Sequence, residues 1–321
     1  MIPEKLKFGD KIRVVSPARS LAIINQENRE VARQTFNKLG LEVTFSKHVE
    51  EIDDFNSSSI ASRIEDLHEA FLDKSVKAIF TSIGGFSSNQ ILDYLDWDLI
   101  KANPKILCGF SDITALNNAI YHKTGLVTYQ GPHFSSLAMK KGLDYTLQYL
   151  KKCLFEDSPF KVKPSPDFSD DPWFLDQENR NFETHPEIKV FHAGVVEGKI
   201  IGGNLCTLNL LQGTDYMPSL ENSILFVEDD DMSDPQTIDR DLQSLIHQKG
   251  FTGVKAVVFG MFQKKTGLTE KLLTQIVESK KQLKNLVVVS NFDFGHTTPR
   301  ITFPVGGTAK IDNLELTIIK H

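Results

Sequence analysis

The sequence predicts an α/β protein with an N-terminal Rossmann- or flavodoxin-like parallel-sheet domain followed by a smaller C-terminal α/β domain. Three observations carry this. The first half alternates short β-forming apolar runs with stretches of helical periodicity, the pattern of a parallel sheet covered by helices on both faces. At 321 residues the chain exceeds the usual size of a single hydrophobic core, so two domains are expected. Between the halves, Pro159, Pro164, Pro166, Pro172 and Pro186, set among polar residues, interrupt any regular element from Asp157 to Pro186.

In chain order, strands are expected near Lys11 to Ala18, Glu42 to Ser46, Val76 to Ile83, Lys105 to Phe110 and Val127 to Gln130. Helical periodicity fills the gaps, notably Asn25 to Leu39, Ile60 to Leu72 and Asp112 to Lys123. After the irregular stretch, Ile224 to Val227, Val254 to Phe259, Leu286 to Ser290, Ile301 to Phe303 and Leu314 to Ile319 read as strands. Thr237 to Gln248 and Thr269 to Leu283 read as helices. The expected division is residues 1–156, a connecting loop at 157–187, and residues 188–321. A structureless stretch of that length inside a compact protein is commonly a functional loop.

Composition narrows the class. Hydrophobic content of 40% and charged content of 24% suit a soluble globular chain rather than a disordered or fibrous one. A net charge of −6 without a long basic run argues against a nucleic-acid partner. The start, MIPEKLKFGDKIRVVSPA, lacks a basic segment followed by an apolar one, and no run reaches the roughly 18 apolar residues of a membrane span, so a cytoplasmic protein is expected. Cys108, Cys153 and Cys206 are odd in number, far apart and in apolar surroundings. That pattern suits buried reduced thiols rather than disulfides or a zinc site.

Chemistry first suggests itself at ILCGFSDITAL, Ile106 to Leu116, where an apolar strand ends in Gly109-Phe110-Ser111-Asp112 and opens into a helix. A sharp strand-to-helix bend displays a serine hydroxyl and aims the next backbone N–H at the same space. Helix capping is the ordinary role of serine there, so Ser111 needs partners to be a nucleophile. Glu228 ends a strand and precedes Asp229, Asp230 and Asp231. This run reads as a solvated loop before a helix capped by Asp234-Pro235, as a carboxylate metal site that lacks further ligands, or as the orienting acid of a triad, and the sequence alone does not rank them. Among nine histidines, His296 sits in Phe294-Gly295-His296-Thr297-Thr298-Pro299, a loop between two strands where an imidazole can act as a base near neutral pH. His133, in Gln130-Gly131-Pro132-His133, is its rival, whereas His68, His122 and His247 fall on helical patterns. Two glycine pairs, Gly84-Gly85 and Gly202-Gly203, match no nucleotide-binding fingerprint. The N–H groups of Gly85 and Asp112 are expected to form an oxyanion hole.

Six ordered segments, SPA near Ser16, IGGF from Ile83, GFSD from Gly109, GGN from Gly202, FVEDDD from Phe226 and FGHTTPR from Phe294, resemble the motifs of the S66 serine peptidases, which include L,D-carboxypeptidases and microcin C immunity proteins. The resemblance implies a Ser-Glu-His triad of Ser111, Glu228 and His296 at the interface of the two domains, no metal or organic cofactor, and a homodimer. It implies Gly84, Phe86, Trp173 and Asn204 as substrate contacts. Ile83-Gly84-Gly85-Phe86-Ser87-Ser88-Asn89 is closer to the immunity-protein branch, as is the loop around Asp171-Pro172-Trp173-Phe174, whose Trp would stack on a nucleobase. Trp173 as a plain anchor for a long loop has equal standing. The implied substrate is a small peptide or a peptidyl- or aminoacyl-nucleotide, with a muramoyl tetrapeptide as the alternative. A non-catalytic ligand-binding protein on the same scaffold is the alternative of a different class.

Overall fold

The structure, a computed structural model, describes residues 1–321. Its first sheet has six strands in the spatial order Phe303–Val305, Thr128–Gln130, Ile106–Cys108, Val76–Thr81, Lys11–Val15, Glu42–Phe45. The five strands from the first half run parallel, and Phe303–Val305 joins antiparallel beside Thr128–Gln130. Helices Gln26–Lys38, Ile60–Leu72 and Ile113–Thr124 connect them. Each of the first two begins at a side-chain cap, Asn25 accepting from the Asn28 N–H and Ser59 from that of Ser62. Val76, Ala78, Ile79 and Phe80 are wholly buried, as expected of a parallel strand covered on both faces, and such a strand reads as a continuous apolar run.

The second sheet has eight strands in the order Phe160–Val162, Glu315–Lys320, Thr308–Asp312, Val195–Asn204, Ser223–Glu228, Ala256–Gly260, Val287–Phe292, Lys189–His192. Its middle four strands are parallel and its flanks antiparallel. Helices Pro235–Ile246 and Glu270–Ser279 pack on it. The stretch expected to be irregular contains three short strands. Phe160–Val162 extends the second sheet, while Asp167–Phe168 pairs with Glu183–Thr184. These form by pairing with distant backbone, which no local periodicity announces.

Gly202 and Gly203 stand near the end of a strand of the second sheet. Both lie within Val195–Asn204, with φ of +129° and +134°. A β-carbon on Gly203 would collide with Gln130 Nε2 and stand 2.5 Å from Thr114 Oγ1. The bare backbone lets the second sheet dock on the first. Aromatic packing completes the joint, with Phe303 of the first sheet 4.8 Å from Phe226 of the second, centroid to centroid. No helix is long and apolar enough to cross a membrane. All three cysteines are free. Cys108 and Cys153 are buried as expected, whereas Cys206 is half-exposed.

Candidate active site

Ser111 sits on the bend between strand Ile106–Cys108 and helix Ile113–Thr124 with φ +59°. That left-handed conformation is strained for a non-glycine residue, by roughly 1–3 kcal/mol, and holds the hydroxyl away from the backbone. The bend is locked by Ile113 N–H to Phe110 O (3.1 Å), Thr114 N–H to Ser111 O (2.9 Å) and Asn117 Nδ2 to Gly109 O (3.0 Å). The Asp112 carboxylate accepts from the N–H groups of Ser87 (3.0 Å) and Ser88 (2.9 Å), and Ser88 Oγ donates to Asp112 O (2.6 Å). Burial raises the Asp112 pKa against these hydrogen bonds. The side chain of Asp112 thus fastens Ser87 and Ser88, directly after the Gly84–Phe86 turn, beside Ser111, while the backbone N–H groups of Asp112 and Gly85 donate to no other protein group.

Strand Ser223–Glu228 delivers Glu228, 2% exposed, to the same place from the second sheet. A carboxylate only accepts, so His296 Nδ1–H donates to Glu228 Oε2 at 2.8 Å, and Nε2 faces Ser111 Oγ at 3.0 Å. Gly295, φ +112°, is what permits this approach, since a β-carbon there would lie 2.7 Å from Glu228 Oε2. The loop's base is anchored by buried Asp293, which accepts from Ser165 N–H (2.8 Å), Ser165 Oγ (2.7 Å) and Tyr145 OH (3.0 Å). Ser169 and Thr298 exchange backbone hydrogen bonds of 2.7 and 2.9 Å. The connecting segment therefore braces the histidine loop. Burial pulls the His296 pKa down, but the charge and hydrogen bond of Glu228, aided by Asp230, outweigh it and leave it above the ordinary imidazole value.

The acidic run diverges. Asp229 accepts from Asn204 Nδ2 (3.1 Å), Asp231 pairs with Lys265 Nζ (2.7 Å), and Asp230 Oδ2 stands 4.0 Å from His296 Nε2. Glu228 and Asp230 thus face the two nitrogens of His296, while Asp229 and Asp231 turn to other partners, and the four do not converge on one ion. Asn204, expected as a substrate contact, points into the protein beside the acidic run. It is 1% exposed, caps helix Leu205–Asn209 by accepting from Thr207 N–H (3.1 Å), and holds Asp229 behind Glu228. His133, the rival base, is buried, with Nδ1 on Thr81 Oγ1 (2.6 Å) and its ring 4.3 Å from Phe110, and makes no hydrogen bond to Ser111. Burial, then the charges of Arg300 and His296, depress its pKa well below the usual range.

Above Ser111 and His296 opens a cleft of about 600 Å³ that Gly84, Gly85, Phe86 and Trp173 line. Trp173 is half-buried, packs against the core and meets Phe174 edge-on at 6.0 Å, so it both anchors its loop and faces the cleft. Three cationic side chains outside the expected set also line it, Arg19, Lys265 and Arg300. Arg300 closes the FGHTTPR segment. It is 5% exposed and lies over the Phe110 ring at 3.9 Å, and burial, partly offset by Glu228, lowers its pKa to about 10.

The family model described as the LD-carboxypeptidase N-terminal domain matches residues 12–131, and that of the LD-carboxypeptidase C-terminal domain matches residues 197–311. Among relatives, the putative carboxypeptidase YocD of Bacillus subtilis is 55% identical over 97% of this chain and 96% of its own length. The crystal structure of an MccF-like protein from Bacillus anthracis superposes with a TM-score of 0.99 at 52% identity, covering 100% of both chains. A structure of the microcin C7 self-immunity protein MccF in complex with aspartyl sulfamoyl adenosine superposes with a TM-score of 0.89 at 28% identity, covering 100% of this chain and 99% of that one. With both domain models matched in order and relatives similar along nearly its whole length, this chain belongs to the LD-carboxypeptidase family, peptidase S66.

Proposed function

We propose that this chain is a serine hydrolase that cleaves an amide bond in an aminoacyl- or peptidyl-nucleotide. The observation that carries the reading is the unbroken row Ser111 Oγ, His296 Nε2, His296 Nδ1, Glu228 Oε2, with hydrogen-bond distances of 3.0 and 2.8 Å. In this reading Ser111 Oγ attacks the carbonyl carbon as Nε2 takes its proton, and Glu228 stabilises the imidazolium and fixes its tautomer. The unengaged N–H groups of Gly85 and Asp112 receive the negative charge that builds on the carbonyl oxygen. His296 then protonates the leaving nitrogen, and water cleaves the acyl-Ser111 ester with His296 again as base.

A nucleotide on the leaving side is supported by the aromatic wall of Trp173 and Phe174 along the cleft and by the aspartyl sulfamoyl adenosine held by the MccF relative. Mass-spectrometric product analysis tests the reading, with aspartyl sulfamoyl-adenosine and a muramoyl tetrapeptide offered side by side. Release of the sulfamoyl-adenosine by the wild-type chain and none by Ser111→Ala is expected. Loss of terminal D-alanine from the tetrapeptide alone would make it a cell-wall peptidase. Product formation by Ser111→Ala at the wild-type rate would remove the nucleophile assignment.

A further inference from the structure

Three cations line the cleft, and they differ in exposure and in their partners. Lys265 Nζ pairs with Asp231 at 2.7 Å. Arg300 donates from Nη2 to Thr297 O (3.2 Å) and sits in the field of Glu228; its Nε and Nη1 have no partner, but it is buried over Phe110 at the floor rather than the lip of the cleft. Arg19 is different. Its backbone N–H donates to Gly84 O (3.3 Å), and its stem packs on Gly85, so it is tied to the turn beside Ser111. Its guanidinium forms no ion pair and no hydrogen bond, and lies 4.9 Å from the centroid of the Phe86 ring, which is itself 60% exposed. The carboxylates of the opposite rim offer it nothing. Asp170 accepts from Gln263 Nε2 (3.0 Å) and Lys264 N–H (2.6 Å), and Asp171 from Asn181 N–H (2.5 Å).

A half-buried guanidinium with all its side-chain donors unspent, at the lip of a cleft, is matched by one ligand chemistry. Its planar fork fits the paired oxygens of a carboxylate, a phosphoryl or a sulfonyl group. Stacking on Phe86 holds the fork in place before ligand arrives, which reduces the ordering cost of binding.

We propose that Arg19, laid across Phe86, is a specificity-determining residue that receives an anionic group of the substrate. That group is either a carboxylate on the acyl half or the sulfonyl- or phosphoryl-type linkage of the leaving half. The assignment rests on the amide-hydrolase reading above, and its test is separable from it.

The test measures equilibrium binding to Ser111→Ala and to Ser111→Ala/Arg19→Met, since Met keeps an apolar stem over Gly85. Three ligands are compared: aspartyl sulfamoyl-adenosine, its asparaginyl counterpart, and an aspartyl adenosine joined by an uncharged amide linker. Arg19→Met is expected to weaken aspartyl sulfamoyl-adenosine roughly ten- to a hundredfold, the usual worth of a charge-assisted hydrogen-bonded pair. The penalty should vanish with the asparaginyl ligand if Arg19 takes the acyl carboxylate, and with the amide-linked ligand if it takes the linkage. Arg19→Lys should recover part of the loss. An equal penalty on all three ligands, no penalty on any, or failure of Ser111→Ala to bind any of them overturns the proposal. Ligands bound through Arg19 but left intact by the wild-type chain would contradict the proposed reaction while leaving the Arg19 assignment standing.

Discussion

Ser111 Oγ and His296 Nε2 stand 3.0 Å apart although 185 residues separate them, and one hangs from the first sheet while the other belongs to a loop leaving the second. The pair therefore exists only when the sheets are docked, and Gly203 is one of the points where they meet, against Gln130 and Thr114. Gly203→Ala is expected to cost about 2–4 kcal/mol, through a forced clash with Gln130 and Thr114 at a positive φ. Gly213→Ala, also at positive φ but facing open space, should cost only about 1 kcal/mol. Chemical denaturation of the two variants compares them, and equal losses would show that docking does not depend on Gly203.

Removing members of the row should abolish turnover without unfolding the chain. Ser111→Ala is expected to lose roughly 10⁴-fold or more in kcat, and Glu228→Gln roughly 10²- to 10⁴-fold, because the imidazole loses the partner that sets its tautomer. Far-ultraviolet circular dichroism should stay unchanged in both. An unimpaired Glu228→Gln would return Glu228 to a structural role.

The raised His296 pKa has a definite sign in the rate profile. In the proposed reaction the base must be neutral, so kcat/KM is expected to fall as pH drops through a value above the ordinary 6.5. Asp230, 4.0 Å from Nε2, contributes to that elevation. Asp230→Asn is therefore expected to shift the acidic limb to lower pH, and an unmoved limb would contradict the electrostatic account.

Asp229 should behave as a stability liability at neutral pH. Its pKa is raised to about 6 by burial, then by the charges of Glu228 and Asp230. The folded chain holds this proton more tightly than the unfolded chain, so stability falls as pH rises from the ordinary carboxyl range through about 6. Asp229→Asn keeps an acceptor for Asn204 and removes the charge. It is expected to stabilise by about 1–3 kcal/mol at pH 8 and to have little effect at pH 4. A gain of the same size at both pH values would point to packing instead.

What was readable from sequence was local. The strand before Ser111 and the helix after it each bury a continuous or periodic apolar set, and the bend between them needs only its own residues. Glu228 was legible as a strand end, yet its choice among three roles depends on where His296 arrives, which no spacing encodes. Strand Val195–Asn204 was missed because its end carries Gly202 and Gly203, residues that weaken a β pattern and are required here by contact with the other sheet. The place of Phe303–Val305 in the first sheet is likewise a matter of long-range pairing. Asn204 follows the glycine pair directly, but it turns inward to Asp229 because helix Leu205–Asn209 needs a cap. Arg19 and Arg300 differ in their surroundings, one half-buried over Phe86 at the lip and one buried over Phe110, a distinction that exists in three dimensions alone.

The activation of Ser111 by His296 is tested most directly by peptide-mapping mass spectrometry after reaction with a fluorophosphonate, on the wild-type chain, Ser111→Ala and His296→Ala. A single phosphonyl adduct on the peptide holding Ser111, absent from Ser111→Ala and formed far more slowly by His296→Ala, is the expected result. An adduct on another residue, or labelling of Ser111 at the same rate without His296, would contradict the account.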